Sequence, residues 1–561
     1  MSPRSTQSSS NSISTLVHVT REFADLAGAG GIKDVAGGLA RASARAGIDT
    51  FVFLPFYRCV DEALSREGLT AEHIDAFPIP MKFPHDPNHS EAVNIHRVEL
   101  GKNLTLMLIE ASCYRYLIEG DGSIERHGIY QYTRREAELI GRPDVRDKGY
   151  YDYFAMNVML VKAALKTLES QGIRPDLIHC HDGHAALLPM IAQLGEEGLG
   201  AGLAHVPSVV TIHNASIGFQ QEIDHLEFAA SICGVPLDVV HRCLLNGHFN
   251  PLIAAALFGS LLNTVSENYA RELQHTPEDR RTGWLGHTIA AMGVTIHGIT
   301  NGVDPGEFDP ASRHKELGLP AAISPAKGDV AGKETCKREL LENLSVLVAG
   351  ASVARHGSVE YAPETPLLTF VGRLNWLKGY HLLVEALPAI FAEDETVQLL
   401  GLGSGDPWVV DQLKRLVVDF PGRVCLLEGF SPELANNIYA AGDFFIVPSI
   451  SEPCGLTDFY AQLMGNVPIV HAVGGLVKTL DNRLGFSYLG EAAELAGAIR
   501  RALKSYRTAK KGDLRRIQKA AVKNIATNFT WDAVLKKKYL PLYLEAVQAE
   551  QPVLPYPPGR G

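Results

Sequence analysis

No apolar run in this sequence reaches the roughly 20 residues a membrane-spanning helix needs. The opening residues are polar and serine-rich with no apolar core. Residues 1–12 are therefore expected to be a disordered tail and not a secretory signal. Residues 549–561, rich in proline and glycine, read as another. The eight cysteines (Cys59, Cys113, Cys180, Cys233, Cys243, Cys336, Cys425, Cys454) contain no C-x-x-C pair, so a disulfide scaffold is excluded and a reduced, cytoplasmic chain is expected. Positive charge is in deficit: 52 Lys and Arg against 63 Asp and Glu leave a net charge of -11. That argues against nucleic acid and anionic membrane surfaces as partners, while leaving room for a local basic cleft that holds phosphate. The G-x-G-x-x-G dinucleotide fingerprint and the H-E-x-x-H zinc pattern are both missing.

What is present is 561 residues, too many for one compact core, with 46% apolar and 20% charged residues. Two or three globular domains follow. A strand over 13–19, a glycine-rich loop at 28–31, a helix over 33–46 and a strand over 49–55 read as β-loop-α-β, the opening of a parallel sheet. Strand-like runs recur at 177–179, 208–212 and 261–265, each ending near polar or small residues, where open α/β sheets place ligand contacts. A second series begins near Leu367, with strands predicted over 367–371, 397–402, 424–427, 444–447 and 467–470 and helices over 380–391 and 407–418. Between the series, 312–364 has weak periodicity and a helical patch at 334–343; an insertion and a domain border both fit it. An amphipathic helix is predicted over 531–546. Two domains joined near residue 300 would leave a cleft between them, the usual place for a substrate.

The most informative stretch is Glu452-Pro453-Cys454-Gly455-Leu456-Thr457, between an apolar strand and a helix-like run. It sets a carboxylate beside the amides of Gly455, Leu456 and Thr457 at the positive end of a helix, an anion site. This pairing suits a polar substrate carrying phosphate, such as a nucleotide-sugar. Arg373 and Lys378 flank a turn after the 367–371 strand and suit a diphosphate leaving group, although surface cations read the same way. Gly30-Gly31 at a strand-to-helix junction fits close approach to a ligand and equally a flexible turn. His179, His181, Asp182 and His184 cluster at a strand end. Their spacing admits a metal site, but a polar sugar-binding loop is the stronger reading, and His213-Asn214 repeats the pattern after the next strand. The Gly401–Asp406 loop reads as a nucleotide contact or a plain turn.

These segments, in order, resemble the bacterial glycogen and starch synthases, retaining glycosyltransferases that use nucleotide-diphosphoglucose. Glu22 with Gly30-Gly31-Ile32-Lys33-Asp34-Val35 resembles K-T-G-G-L-x-D-V. His179 to His184 resembles H-A-H-D-W-H, Thr211 to Asn214 resembles T-x-H-N, and Thr264-Val265-Ser266 with Tyr269-Ala270 and Glu272 resembles T-V-S-x-x-Y-A-x-E. Asn301 to Asp304 resembles N-G-I-D, Arg373 to Gly379 resembles R-L-x-x-Q-K-G, Glu452 to Thr457 matches E-P-C-G-L-T with Gly474-Gly475-Leu476 following, and Phe529-Thr530-Trp531 resembles F-S-W. The likeness spans roughly residues 14 to 545.

The resemblance implies an α/β chain of two Rossmann-like domains facing across a cleft, the GT-B type. It implies an acceptor-side domain over 13–300, a donor domain over 301–530 and a helix over 531–548 returning to the first. The implied reaction moves glucose from ADP-glucose or UDP-glucose to an α-glucan or oligosaccharide with retained configuration, with no metal and no cofactor. Among the implied roles, Arg373 and Lys378 hold the diphosphate, assisted by the amides of Gly455, Leu456 and Thr457. Glu452 orients sugar hydroxyls or supports developing positive charge. His184 and Asn250 line the sugar pocket, Asp34 and the Gly30-Gly31 loop border donor and acceptor, and Asp182, His213 and Asn214 support the site. The chain departs from the family at four places: Gly28 and Ile253 stand where the family has lysines, Gly183 where it has tryptophan, and Ile450 where it has arginine. The losses fall mostly on the acceptor side, which leaves open a specialised acceptor or a non-catalytic nucleotide- or glucan-binding role.

Overall fold

The computed structural model describes residues 12–117, 123–150, 152–195, 199–479, 483–508 and 512–549. The tails expected at 1–12 and 549–561 lie outside these, but for residues 12 and 549. The chain divides into two compact units: one takes in the chain up to Val265, Ala270–Gly302 and the chain from Trp531 onward; the other takes in Ser266–Tyr269 and Val303–Thr530.

The first unit is built on a nine-stranded sheet. Its strands in chain order are β1 (Thr15–Val19), β2 (Asp49–Pro55), β3 (Glu72–Pro80), β4 (Ser90–Gly101), β5 (Leu104–Ala111), β6 (Leu177–His181), β7 (Ser208–Ile212), β8 (Leu261–Thr264) and β9 (Ile296–Gly298). Across the sheet the order is β9-β8-β7-β6-β1-β2-β5-β4-β3. The run from β9 to β5 is parallel, and β4 and β3 extend it antiparallel. Strands β6 and β7 are buried along their whole length, as expected where helices cover both faces. The β3–β5 meander is absent from the sequence reading: Pro78 and Pro80 argue against a strand, yet an edge strand such as β3 tolerates proline.

Helix Ile32–Arg45 carries Asp34 in its first turn and Arg45 in its last, matching the helix dipole, and buries Val35, Ala36, Leu39 and Ala40. Gly38 on this helix lets the Trp531 indole approach; a Cβ there would lie 2.1 Å from Trp531 Nε1. Trp531, Tyr539 and Tyr543 are buried with Val35 and Leu39 in one apolar cluster, so the C-terminal segment completes the core of the first unit. The helix predicted over 531–546 is one continuous helical run, Trp531–Val534 and Leu540–Gln548 joined through a π-helical turn at Leu535–Tyr539.

The second unit holds a seven-stranded sheet. Its strands are β10 (Val353–Gly357), β11 (Leu367–Val371), β12 (Gln398–Gly403), β13 (Val424–Gly429), β14 (Phe444–Val447), β15 (Val467–His471) and β16 (Phe486–Tyr488). The order is β10-β13-β12-β11-β14-β15-β16, parallel except for β10. The ambiguous 312–364 region belongs here: helices Ala331–Glu342 and Leu344–Ala349 pack on this sheet and β10 pairs with β13. No helix among the described residues is long and apolar enough to cross a membrane.

Each sheet reverses its winding at one strand, β1 in the first unit and β11 in the second. The carboxyl ends beside these reversals are where open α/β sheets leave a crevice for ligand.

Candidate functional site

In the second unit the residues at the β11–β14 reversal converge. The turn after β11 carries Arg373 and Lys378, and the turn after β14 carries Ser449 and Glu452. Lys378 Nζ lies 2.6 Å from Glu452 Oε2, and Ser449 Oγ donates to the same oxygen at 2.8 Å. Burial works to raise the Glu452 carboxyl, but the Lys378 charge and hydrogen bond, the Ser449 hydroxyl and Lys478 outweigh it and hold the group below the usual glutamate range. Glu452 is therefore an anion, suited to face positive charge and unsuited to donate a proton. Arg373 is exposed, and among the described residues its guanidinium makes no ion pair.

The Glu452–Thr457 turn is held through its backbone carbonyls. Gly475 N donates to Glu452 O at 2.9 Å, and Ser266 Oγ donates to Pro453 O at 2.6 Å. A Cβ on Gly474 would lie 1.9 Å from Glu452 O, and one on Gly475 2.1 Å from Cys454 O. The helix after the turn, Thr457–Leu463, has seven residues. Its dipole is correspondingly small, so the direction of the individual amides matters more than the helix end.

In the first unit β1, β6 and β7 deliver Glu22, Asp182, His184 and His213 from adjacent strand ends. Glu22 is buried, accepts from Ala29 N at 3.3 Å and Gly30 N at 3.1 Å, and takes the Tyr130 hydroxyl at 2.6 Å. Glu22 thus shapes the glycine loop, and the Gly30 amide is already engaged. Lys33 Nζ pairs with Asp34 Oδ1 at 2.9 Å, and its methylenes lie over Gly28, so close that a Cβ on Gly28 would sit 2.0 Å from Lys33 Cδ. Gly31 is exposed.

The histidines form a buried hydrogen-bonded row: His18 Nδ1 lies 3.0 Å from His181 Nε2, and His181 Nδ1 3.1 Å from His213 Nε2. His18 Nε2 is buried without a partner. A bare lone pair there costs less than an orphaned N–H, so His18 donates to His181 and His181 to His213, leaving Nδ1–H on His213. His179 is fixed separately: Tyr543 OH lies 2.8 Å from its Nδ1, and its Nε2 donates at 2.6 Å to Thr211 Oγ1, which donates to Asn263. Burial lowers His18 and His213 to about 3 and carries His179, His181 and His184 well below 6.5. All five are neutral. His18, His179 and His181 bring ring nitrogens within 4.8 Å of one another. Both nitrogens of His179 and of His181 are already used in hydrogen bonds, which a metal ligand could not keep; the donor set fits a hydrogen-bonded core.

Asp182 stands in the left-handed region at φ 59 and accepts from His213 N at 3.2 Å. Burial pushes its carboxyl up to about 7 against the opposing charge of Arg21. His184 is buried; its Nε2 accepts from Arg21 N at 3.1 Å, so its proton is on Nδ1, which has no partner among the described residues. Asn250 caps helix Pro251–Phe258 through Oδ1 and donates Nδ2 to Gln220 Oε1 at 2.6 Å, so its amide is spent inside the fold. Ile253 on that helix is buried. Asn214 Oδ1 accepts from Ser216 N at 2.9 Å.

Four contributors escape the sequence reading. Lys478 and Tyr130 reach the site across the fold, Lys478 through several contacts and Tyr130 through Glu22, whereas Ser449 and Arg21 stand just past strand ends, Ser449 three residues from Glu452.

The comparisons with known proteins follow the two units. Residues 15–287 match the family model "Starch synthase catalytic domain", and residues 365–505 match "Glycosyl transferases group 1". The glycogen synthase of Myxococcus xanthus is 33% identical over 529 residues, 92% of this chain and 96% of its own length. That of Aeromonas hydrophila is 29% identical, over 95% of this chain and 98% of its own. Among solved structures, the catalytic domain of starch synthase IV from Arabidopsis thaliana, bound to ADP and acarbose, superposes with a TM-score of 0.73 at 24% identity, covering 96% of this chain and all of that one. The fold is shared, two Rossmann-like α/β domains of GT-B type.

Proposed function

The chain belongs to the glycogen and starch synthase family, and from that premise we propose that it transfers glucose from ADP-glucose or UDP-glucose to the non-reducing end of an α-1,4-glucan with retained configuration. The observation that carries this reading is the convergence of Lys378, Ser449 and the anionic Glu452 beside the exposed Arg373, at the reversal point of the second sheet. When the glucosyl–oxygen bond to phosphate breaks, negative charge moves to the diphosphate and positive charge develops on the sugar. Arg373, Lys378 and the Gly455–Thr457 amides answer the first, and Glu452 answers the second. The acceptor hydroxyl attacks the same face and passes its proton to the departing phosphate oxygen. A pair of carboxylates acting as nucleophile and acid, as in retaining hydrolases, has no part in this scheme.

In the first unit, we assign sugar-facing roles to the His213 Nδ1–H and to His184, whose Nε2 accepts from Arg21 N and whose Nδ1–H is buried without a partner among the described residues. Asp182 fixes the His213 backbone, and Asp34 and Lys33 sit at the glycine loop. A second reading, a related glucosyltransferase with a specialised acceptor, is favoured by Ile253, an apolar and buried residue where the family has lysine.

The test is a donor–acceptor assay with ADP-glucose and UDP-glucose separately, with and without maltooligosaccharides, following free diphosphate and product length. Lengthened chains support the synthase reading and identify the donor. Donor turnover confined to a small acceptor favours the second reading, and absence of turnover with every donor–acceptor pair overturns both.

A further inference from the structure

Beneath the Glu452–Thr457 turn lies an ion pair that the proposed chemistry uses only through the charge of Lys478 on Glu452. Lys478 is 4% exposed at its side chain and Asp458 is fully buried, with Lys478 Nζ 3.0 Å from Asp458 Oδ1. The same ammonium donates to Cys454 O at 2.9 Å, Gly455 O at 2.6 Å and Gly475 O at 3.2 Å, and lies 4.6 Å from the centre of the Phe459 ring. A lysine has three N–H donors, and the three carbonyls take them all. A buried ammonium is costly unless paired, and here Asp458 supplies the opposing charge.

The consequence lies in the peptide planes. The chain has no cis peptide bonds, and in a trans peptide the carbonyl and the N–H point in opposite directions. Lys478 holds the Cys454 and Gly455 carbonyls on its own side and so turns the Gly455 and Leu456 N–H groups to the other. Gly455 is left-handed at φ 73 and Leu456 right-handed at φ -97, ψ -25, a succession that presents neighbouring N–H groups as a concave seat for an anion. Among the described residues, no protein acceptor takes the N–H of Gly455, Leu456 or Thr457.

We propose that Lys478, anchored by Asp458, is the positioning residue of the donor turn, fixing its carbonyls inward so that its amides face the diphosphate of a nucleotide-sugar. This rests on the donor reading above. Lys478 touches no substrate; it acts through the Gly455 and Leu456 amides.

The experiment compares binding of ADP and UDP with binding of adenosine and uridine, in the wild-type protein and in Lys478→Met/Asp458→Asn. The double variant removes both charges together and leaves no buried carboxylate unpaired. The expected result is a diphosphate Kd raised about tenfold or more, an unchanged nucleoside Kd and a cooperative melt. Lys478→Gln/Asp458→Asn, whose glutamine amide keeps two N–H donors and which also leaves no buried carboxylate unpaired, is the milder variant and is expected to lose less. Wild-type diphosphate affinity in a folded double variant overturns the inference and leaves the donor reading standing. An equal loss for diphosphate and nucleoside also overturns it, since that marks a general distortion. Failure of the wild-type protein to bind either diphosphate overturns the donor reading itself.

Discussion

Lys378 Nζ and Glu452 Oε2 stand 2.6 Å apart at two neighbouring strand ends, 74 residues distant in sequence. The pair joins the cation that would face the diphosphate to the anion that would face the sugar, so each presets the other's position. Glu452→Ala is expected to lower turnover about 10²- to 10³-fold, the scale of losing one oriented electrostatic group. Lys378 is 31% exposed at its side chain and can hydrate once its partner is gone, so unfolding should stay cooperative. Unchanged transfer kinetics in a stable Glu452→Ala protein would remove Glu452 from the site.

The buried histidines set a pH dependence of stability whose sign is fixed. His18, His179, His181, His184 and His213 are neutral in the fold, whereas in the unfolded chain they bind protons below their ordinary value of 6.5. Their contribution is full above 6.5 and is lost as pH falls toward about 3. Asp182 works the other way: with its carboxyl near 7 in the fold and 3.8 unfolded, its contribution is full below 3.8 and lost as pH rises to about 7. Urea midpoints measured between pH 4 and 7 should therefore rise with pH. His18→Asn should reduce proton uptake on unfolding at pH 5 by about one proton, and Asp182→Asn should increase it by about one. A midpoint that is flat with pH in the wild-type protein would sink this account.

The parallel strands that carry the site are legible in sequence because their apolar runs are short and bounded by polar loops. The 367–371 and 444–447 runs coincide with β11 and β14, and the residues just past them are Arg373, Lys378 and Glu452. What stayed hidden depends on contacts across the fold. The contact of His184 with the Arg21 backbone, and the role of Asn250 as a helix cap with its amide on Gln220, have no signature in spacing. In the meander, half-exposed, proline-bearing sequence conceals β3, while β4 alternates and β5 is mostly apolar and fully buried, patterns that a strand reading could have found. Lys478 carried no signal in the sequence, because its three acceptors are backbone carbonyls that leave no trace in residue type.

Gly379 links Lys378 to the following helix, Tyr380–Glu393, at φ 69. A Cβ there would lie 1.9 Å from Pro448 O, which is backbone and cannot swing aside. Gly379→Ala therefore meets both a left-handed backbone penalty of about 1–2 kcal/mol and an overpacking cost of about 1–3 kcal/mol. The expected outcome is a lowered melting temperature together with a fall in kcat, because relief of the clash moves Lys378 away from Glu452. A variant with wild-type melting and kcat would show that the turn accommodates the side chain.

Lys33 occupies the volume that a side chain at position 28 would take, its Cδ 2.0 Å from the Cβ site of Gly28. A lysine is thus delivered to the glycine loop from the first turn of the helix rather than from the loop, with its ammonium on Asp34. If Lys33 supplies the loop's charge, Lys33→Ala should weaken diphosphate binding or turnover about tenfold. Gly28→Lys alone should gain nothing, since two lysines compete for one space. The combination Gly28→Lys with Lys33→Ala clears that space and should recover much of the lost activity, because position 28 has no left-handed backbone requirement. Steady-state kinetics on the three variants decide the matter: if Lys33→Ala is silent, or if the combination is no better than Lys33→Ala, the charge at the glycine loop plays no part in the reaction.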